Sequence, residues 1–478
     1  MSNQVQFHEP FALKRVLHRY ASTDAVDFYT FLEKLIDEME RELEAIDPDY
    51  FELSRLALTG HMEVLPYFND LLNKYLRTHP FKGILPECYK NVPVEVAIFQ
   101  EWKGFSALHE WFTDKKYSQS SGLQIIGSNC FYREKGVYRP YPFKLPSLER
   151  ADRLRRQLLA NAPSITDHKE AELNMIDPLW PDRFLRIAIW APDRVWDGFA
   201  TITIRRQVVE YLNLQDQAAS GSIPTESIPI FKHLCRTGRR IVVAGPVDSG
   251  KSTFANTLVG EQLEQSNERI GIIMIEKHPE SLLPIVFPDH RIIPVKAKDS
   301  ELMDVGIQSL RMDPQIIFMT EMRYNEWEFY LYAGEKGYKN LIGTYHTTDP
   351  QDIPYQAANA VHAIRGGSLR AHLISALKSC EIVVTMEPGE DGKKRVVRLS
   401  EICFDEEKGT VYANDIMRYD RKQKRWLYND KLSAGIIRSM QTVDYNATVK
   451  FLRELGKQTS VNPIDDPIQY SLKSQMVL

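Results

Sequence analysis

Apolar and polar positions alternate along this chain in three successive patterns. From Ser22 to about Ile46, Phe28, Phe31, Leu32, Leu35, Ile36, Met39 and Leu43 recur at three- and four-residue spacing. Glu33, Lys34, Asp37 and Glu40 lie between them, which predicts an amphipathic helix. Ser22, Thr23 and Asp24 offer side chains for its N-cap. Helix-like sequence continues to about Trp111, and a face this apolar must pack on its own domain or on a neighbouring subunit. From Gly122 the period shortens. Leu123–Ile126 and Cys130–Arg133 predict short strands, with Glu134, Lys135 and Gly136 as a turn before Val137 and Tyr138. Leu148–Leu159 predicts a basic amphipathic helix, with Leu148, Ala151, Leu154 and Leu158 on one side. Arg150, Arg153, Arg155 and Arg156 lie mostly on the other, and a solvated face accounts for that arginine run better than an anion site. Phe184–Trp190 and Thr201–Ile204 add two strands and complete an α+β module.

The third pattern follows a small, polar, proline-bearing stretch over 215–230, which reads as an inter-domain linker. Beyond it strands and helices alternate. Ile241–Ala244 is a strand, Lys251–Leu263 a helix, Ile270–Ile275 a strand, Leu302–Leu310 a helix, and Ile316–Met319 and Leu341–Gly343 are strands. Such alternation implies βαβ units and a mainly parallel sheet. Near Val383 a hairpin is expected, with Gly389–Gly392 turning between Ile382–Thr385 and Val396–Val397. The expected order is a helical N-terminal extension (1–118), an α+β domain (119–214), the linker (215–230), an α/β domain (231–432) and a helical tail (433–478), loose after Thr459.

Composition narrows the function classes. Of 478 residues, 43% are hydrophobic and 26% charged, which suits an ordinary globular protein. A net charge of −4 argues against bulk coating of nucleic acid. The cysteines, at 88, 130, 235, 380 and 403, are odd in number and widely spaced. A disulfide framework or structural zinc site is therefore not expected. Met1–Pro10 carries no apolar run and no stretch approaches a bilayer span, so a cytoplasmic location is expected, with any membrane contact peripheral.

The chemistry gathers after the strand Ile241–Ala244. Gly245, Pro246, Val247, Asp248, Ser249, Gly250, Lys251 and Ser252, followed by Thr253, spell a phosphate-binding P-loop. Glycines allow the bends, a helix N-terminus lies beneath the phosphates, Lys251 supplies a point charge, and Ser252 a hydroxyl for Mg²⁺. Other strand ends are polar too. Glu276 is followed by Lys277, His278, Pro279 and Glu280; Ile316–Met319 leads to Thr320 and Glu321; Leu341–Gly343 leads to Thr344, Tyr345 and His346. Strand carboxyl ends face the ligand crevice of a parallel sheet. A carboxylate there can orient a water or position Mg²⁺, and His346 could sense a γ-phosphate.

The order of these motifs resembles the hexameric ATPases of bacterial type II and type IV secretion and pilus assembly, nearest the tight-adherence pilus and conjugative branch. The segments GPVDSGKS, Ile275–Glu280 (IEKHPE), Asp313–Arg323 (DPQIIFMTEMR) and Gly343–Thr347 (GTYHT) correspond to its P-loop, Asp box, Walker B and His box. Thr201–Arg206, Arg395–Ile402 and Asp415–Asp420 also look like that branch, and the likeness covers about 120–425. It implies a RecA-like core preceded by a PAS-like α+β domain. It implies ATP and Mg²⁺, with Glu280 as the catalytic carboxylate, Glu321 as the Walker B glutamate and metal ligand beside Ser252, and Arg311 near that edge. Arg186, Arg205 and Arg206 would be arginine fingers. It also implies a homo-oligomer, six copies, working with an inner-membrane platform or coupling proteins and not with nucleic acid directly. Lys277, Gln315 and Thr320 stand where the family has Asp, Asp and Gly. A nucleic-acid translocase on the same core, or a nucleotide-binding scaffold with weak hydrolysis, remain alternatives.

Overall fold

Phe28, Leu32, Leu35, Ile36 and Met39, the stripe that predicts the first helix, are all buried on α1 (Thr23–Ile46). They pack with Phe68 and Leu72 of α2 (Leu65–Thr78) and Trp102 of α3 (Val94–Trp102). The structure is a computed structural model describing residues 23–46, 53, 57, 65–160, 170–208, 210–297 and 300–472. Ser22, the Met1–Pro10 stretch and the end of the tail lie outside the described residues. The chain divides into two units, Met1–Val208 and Val209–Leu478.

In the first unit, α4 (His109–Thr113) leads to an antiparallel sheet. Its strands are β1 (Ser120–Ile126), β2 (Asn129–Glu134), β3 (Val137–Pro140), β4 (Glu170–Asp177), β5 (Trp180–Trp190) and β6 (Thr201–Arg206), in the order β3-β2-β1-β6-β5-β4. α5 (Leu148–Ala160) lays Ala151, Leu154 and Leu158 on Leu123, Ile125, Ile187, Ile202 and Ile204. β4 was not expected, although its buried Leu173 and Met175 alternate with Glu172 and Asn174 as a half-buried strand requires.

Two expectations about arginines are corrected here. Arg150 is not on a solvated face. It is buried, with Nε 3.1 Å from Glu101 Oε2 and Nη2 donating to the carbonyls of Gln100 and Gly104. Glu101 also accepts from Tyr89 Oη at 2.6 Å and Ser106 Oγ at 2.7 Å. A buried carboxylate needs such partners, and these bonds tie the helical extension to the α+β module, so the two form one unit. Arg206 shares the core face of β6 with Ile202 and Ile204. Its Nε lies 2.6 Å from Asp177 Oδ2, and its guanidinium lies 3.7 Å from the Trp111 ring centroid. It also donates to the carbonyls of Trp111 and Tyr117. A guanidinium so committed is a core fixture and not a nucleotide ligand. Arg205 and Arg186 are register partners on the opposite face, Arg205 exposed and Arg186 3.4 Å from Glu172. Arg206→Ala should cost about 3–5 kcal/mol by leaving the Asp177 carboxylate buried alone. Denaturant unfolding of the full chain measures this, and an unchanged midpoint would remove the pair from the account.

The second unit begins earlier than the composition suggests. Over 215–230 the chain is no linker: α6 (Leu214–Ala219) carries an Asn213–Asp216 capping box, and α7 (Ile228–Leu234) follows. Leu214, Ile223, Ile230 and Phe231 are buried in the core of this unit. Pro229, which looked like linker chemistry, lies in the first turn of α7, and Ser227 stands at its N-cap position without a side-chain capping bond.

The sheet holds β7 (Ile241–Ala244), β8 (Gly271–Glu276), β9 (Arg291–Lys296), β10 (Ile316–Met322), β11 (Leu341–Tyr345) and β12 (Ile382–Pro388) in parallel, ordered β12-β7-β11-β10-β8-β9. β7, β8 and nearly all of β10 and β11 are buried on both faces, hence their unbroken apolar runs. β9 was missed because it is an edge strand, largely exposed, with Pro294 where a central strand could not hold one. Antiparallel β13 (Lys394–Asp405), β14 (Thr410–Asp420) and β15 (Arg425–Tyr428) extend the β12 side. The tail is part of the core: its helices Ala434–Val443 and Tyr445–Val461 contribute Ile436, Met440, Phe451 and Leu455, and β16 (Ile468–Tyr470) pairs with β14. The chain is thus ordered well past Thr459.

Candidate functional site

β7 ends between β11 and β12, and its last residue, Ala244, is in register with Tyr345 and Thr385. The chain then turns sharply. Gly245 has φ 152° and donates its N–H to the Tyr345 carbonyl at 3.2 Å. A Cβ at that position would lie 2.2 Å from the Met386 carbonyl oxygen, so only glycine fits. Asp248 (φ 63°) and Gly250 (φ 92°) take left-handed conformations that curl the loop onto the helix α8 (Lys251–Glu264). The first bond of that turn runs from the Phe254 N–H to the Gly250 carbonyl at 2.9 Å. The amides of Lys251, Ser252 and Thr253 therefore have no partner within the helix. Ser249 Oγ is buried without a hydrogen-bond partner. A ring of unspent donors at a helix N-terminus suits a phosphate.

Lys251 is largely buried. Its Nζ donates to the Pro246 carbonyl at 2.6 Å and lies 3.4 Å from His346 Nδ1. Burial pushes this amine down to about 8, against the pull of Glu321 and Asp248. His346 Nε2 lies 3.7 Å from Glu321 Oε1, and Arg323 Nε donates to that same oxygen at 2.9 Å. Burial, then the Lys251 charge, lowers the His346 imidazole below its ordinary value. Lys251, His346 and Glu321 thus meet at the carboxyl ends of β7, β11 and β10.

Glu280 is on an exposed turn after β8, and the structure shows how that turn is held. Glu276, buried at the end of the strand, accepts the Glu280 N–H at 2.8 Å and the Ser281 N–H at 3.4 Å through Oε2. Burial raises its carboxyl to about 7 although these two amides oppose the shift. Ser281 Oγ donates to Asn256 Oδ1, and Asn256 Nδ2 donates to the Ser252 carbonyl at 2.7 Å. The turn is therefore fastened to the strand behind it and to the first turns of α8.

The departures from the family pattern fall in different places. Lys277 is exposed on the Glu280 turn. Thr320 spans the strand ends, its hydroxyl reaching the Ile275 carbonyl at 3.3 Å and its carbonyl accepting from Thr344 Oγ1 at 2.7 Å. Gln315 precedes β10, where its Oε1 accepts from the Gly271 N–H and from Arg291. At about 3.3 Å per residue it lies roughly 20 Å along the strand from Glu321. Arg311, exposed in the turn before Gln315, is likewise at the amino-terminal edge of the sheet. Its expected place near the Glu280 and Glu321 edge is corrected: adjacency in sequence to β10 put it at the wrong end of the strand. Lys394 was not foreseen. Its Nζ lies 2.6 Å from Asp248 Oδ1, and its stem covers Gly250. Nothing local to a hairpin lysine announces a P-loop more than a hundred residues earlier.

Among the described residues no group of three His, Cys, Asp or Glu side chains is placed to hold a metal. Exposed Ser252 and half-buried Glu321 could supply two oxygen ligands. That sparse donor set fits Mg²⁺, which keeps waters and shares phosphate oxygens, and does not fit zinc or calcium. No helix among the described residues is long and apolar enough to cross a membrane.

No family model matches the chain, and no curated protein matches its sequence. Solved structures do. One is the VirB11 ATPase of the Brucella suis type IV secretion system in complex with sulphate, at 20% identity over 61% of this chain and 91% of that one, with a TM-score of 0.32. Another is the Legionella pneumophila ATPase DotB, at 15% identity over 74% of this chain and 87% of that one, with a TM-score of 0.45. A third is the pilus retraction motor PilT with bound ADP, at 16% identity over 77% and 95%, with a TM-score of 0.44. At such scores the functional reading rests on the residues of this chain alone.

Proposed function

We propose that the Val209–Leu478 unit binds and hydrolyses ATP. We further propose that the chain works as one subunit of a six-membered ring at the inner face of a membrane, powering a secretion or pilus-assembly machine. The observation that carries hydrolysis is the meeting of Lys251, His346 and Glu321 at one sheet edge, with separations of 3.4 and 3.7 Å, beside a helix whose first three amides have no intrahelical partner. The ring and the machine rest on the order of the four motifs and on nothing narrower.

In this reading the amides of Lys251, Ser252 and Thr253 take the β- and γ-phosphates of ATP. The Lys251 ammonium leaves the Pro246 carbonyl for the γ-phosphate. Glu280 orients a water in line with the terminal phosphorus and accepts its proton as the bond to ADP breaks. Glu321 and Ser252 would hold Mg²⁺, which when bound neutralises charge on the β- and γ-oxygens. His346, between Lys251 and Glu321, registers whether the γ-phosphate is present. The test is phosphate release by the full chain with Mg-ATP, alongside light scattering. Turnover by an oligomer is expected, unaltered by added DNA or RNA. No release overturns hydrolysis, a monomer at high concentration overturns the ring, and stimulation by nucleic acid points to a translocase.

A further inference from the structure

The buried carboxyl of Glu276 has no part in the chemistry just described, yet an ionisable group in a core requires a reason. Five consecutive residues of β8, Gly271–Ile275, precede it and all are buried, so the strand delivers Glu276 beneath the turn that follows. Its Oε2 accepts the Glu280 amide at 2.8 Å and the Ser281 amide at 3.4 Å. A further attachment of the turn is the Ser281 hydroxyl on Asn256, whose amide group bonds the Ser252 carbonyl at 2.7 Å. The Glu280 backbone is thus held from below by a side chain four residues earlier, and from the side by the helix that opens on the phosphates.

We propose that Glu276 is a positioning residue for hydrolysis: by fixing the Glu280 amide it sets where the Glu280 carboxylate stands, and Asn256 links that turn to the nucleotide helix. This rests on the hydrolysis reading above. The physical reason is the asymmetry of buried hydrogen bonds. Removing the acceptor takes from the Glu280 and Ser281 amides the bonds that hold them to the strand, and a turn loosened at those positions samples more conformations. A carboxylate on such a turn spends little time in line with a water and phosphorus, and misplacement by about 1 Å can cost on the order of a hundredfold in rate. Nucleotide affinity comes from the loop and Lys251 and should be spared.

The experiment compares wild type, Glu276→Ala, Glu276→Gln and Glu280→Gln in the full chain. Three quantities are read: phosphate release, affinity for a fluorescent ATP analogue, and amide hydrogen exchange over 277–282. Glu276→Ala should lower turnover at least about tenfold, leave analogue affinity within about twofold, and speed exchange at the Glu280 amide about tenfold. Glu276→Gln keeps an acceptor oxygen in the same place and should restore both turnover and exchange protection to within about threefold of wild type. A merely structural role would lower affinity and turnover together and would not separate the two variants. Equal turnover and equal exchange in wild type and Glu276→Ala overturn the proposal, as does parallel loss of affinity and turnover. If wild type releases no phosphate, or Glu280→Gln turns over like wild type, the hydrolysis reading falls by itself. Exchange at Glu280 then decides the positioning: faster in Glu276→Ala upholds it, unchanged refutes it.

Discussion

Replacing Glu280 by Gln should abolish most ATP turnover, by on the order of 10²–10⁴-fold, while leaving ATP binding intact. The substitution keeps the size and shape of an exposed side chain, and the bond from Glu276 fastens the Glu280 backbone N–H, which glutamine retains. The fold should therefore survive the change. What disappears is the capacity to accept a proton from the attacking water, a contribution made only in the transition state, so kcat falls and affinity does not. Single-turnover phosphate release and equilibrium titration with an ATP analogue give the two numbers. If both move together, the carboxylate is serving the ground state and Glu280 leaves the mechanism.

The second large effect is expected at Lys251, with stability and binding moving in opposite directions. Lys251→Met should weaken ATP binding by about a hundredfold or more, since the proposed site gives the buried Lys251 ammonium to the phosphates. The same change should leave the nucleotide-free protein at least as stable as wild type. The Lys251 amine sits at about 8 when folded, below the ~10.4 of an unfolded lysine. The folded state therefore holds that proton less well, and the penalty is full below pH 8 and fades as pH rises toward 10.4. Methionine removes a charge that the fold tolerates for function. Thermal melts across pH 7–10, with and without ATP, test this. A destabilised Lys251→Met without nucleotide would mean that its bond to the Pro246 carbonyl matters more than its buried charge.

Much of the second unit was legible because its strands are buried on both faces. Ile241–Ala244, Gly271–Glu276 and Ile316–Met319 show themselves as apolar runs, and the polar residues that stop those runs are the ones that converge. Parallel topology turns strand order into site geometry, which is why Lys251, Glu321 and His346 could be grouped before any coordinate. Residues whose roles depend on tertiary partners were not readable. Arg150 and Arg206 look like surface or ligand arginines in a helical or strand pattern, and only Glu101 and Asp177 show otherwise. Lys394 reaches Asp248 from a hairpin far along the chain. Glu276 was visible as a strand end, but that its side chain turns back onto the next turn is a matter of rotamer and burial. The 215–230 segment misled for a related reason: serine, threonine and proline serve helix starts as readily as linkers.

The central place of β7 also bears on how the protein is made. Ala244 is paired on both sides, by Tyr345 about a hundred residues later and by Thr385 roughly 140 residues later. A growing chain therefore presents the strand IVVA, with the P-loop behind it, well before either neighbour has been synthesised. At about 5–20 residues per second that interval lasts roughly five to thirty seconds, and the exposed run must be kept from pairing elsewhere meanwhile. The Met386 carbonyl that closes over Gly245 is made later still, so the loop lacks its native cover through that interval. Truncated chains ending before Ile382 should thus depend on chaperones and bind no nucleotide, however complete their P-loop is in sequence.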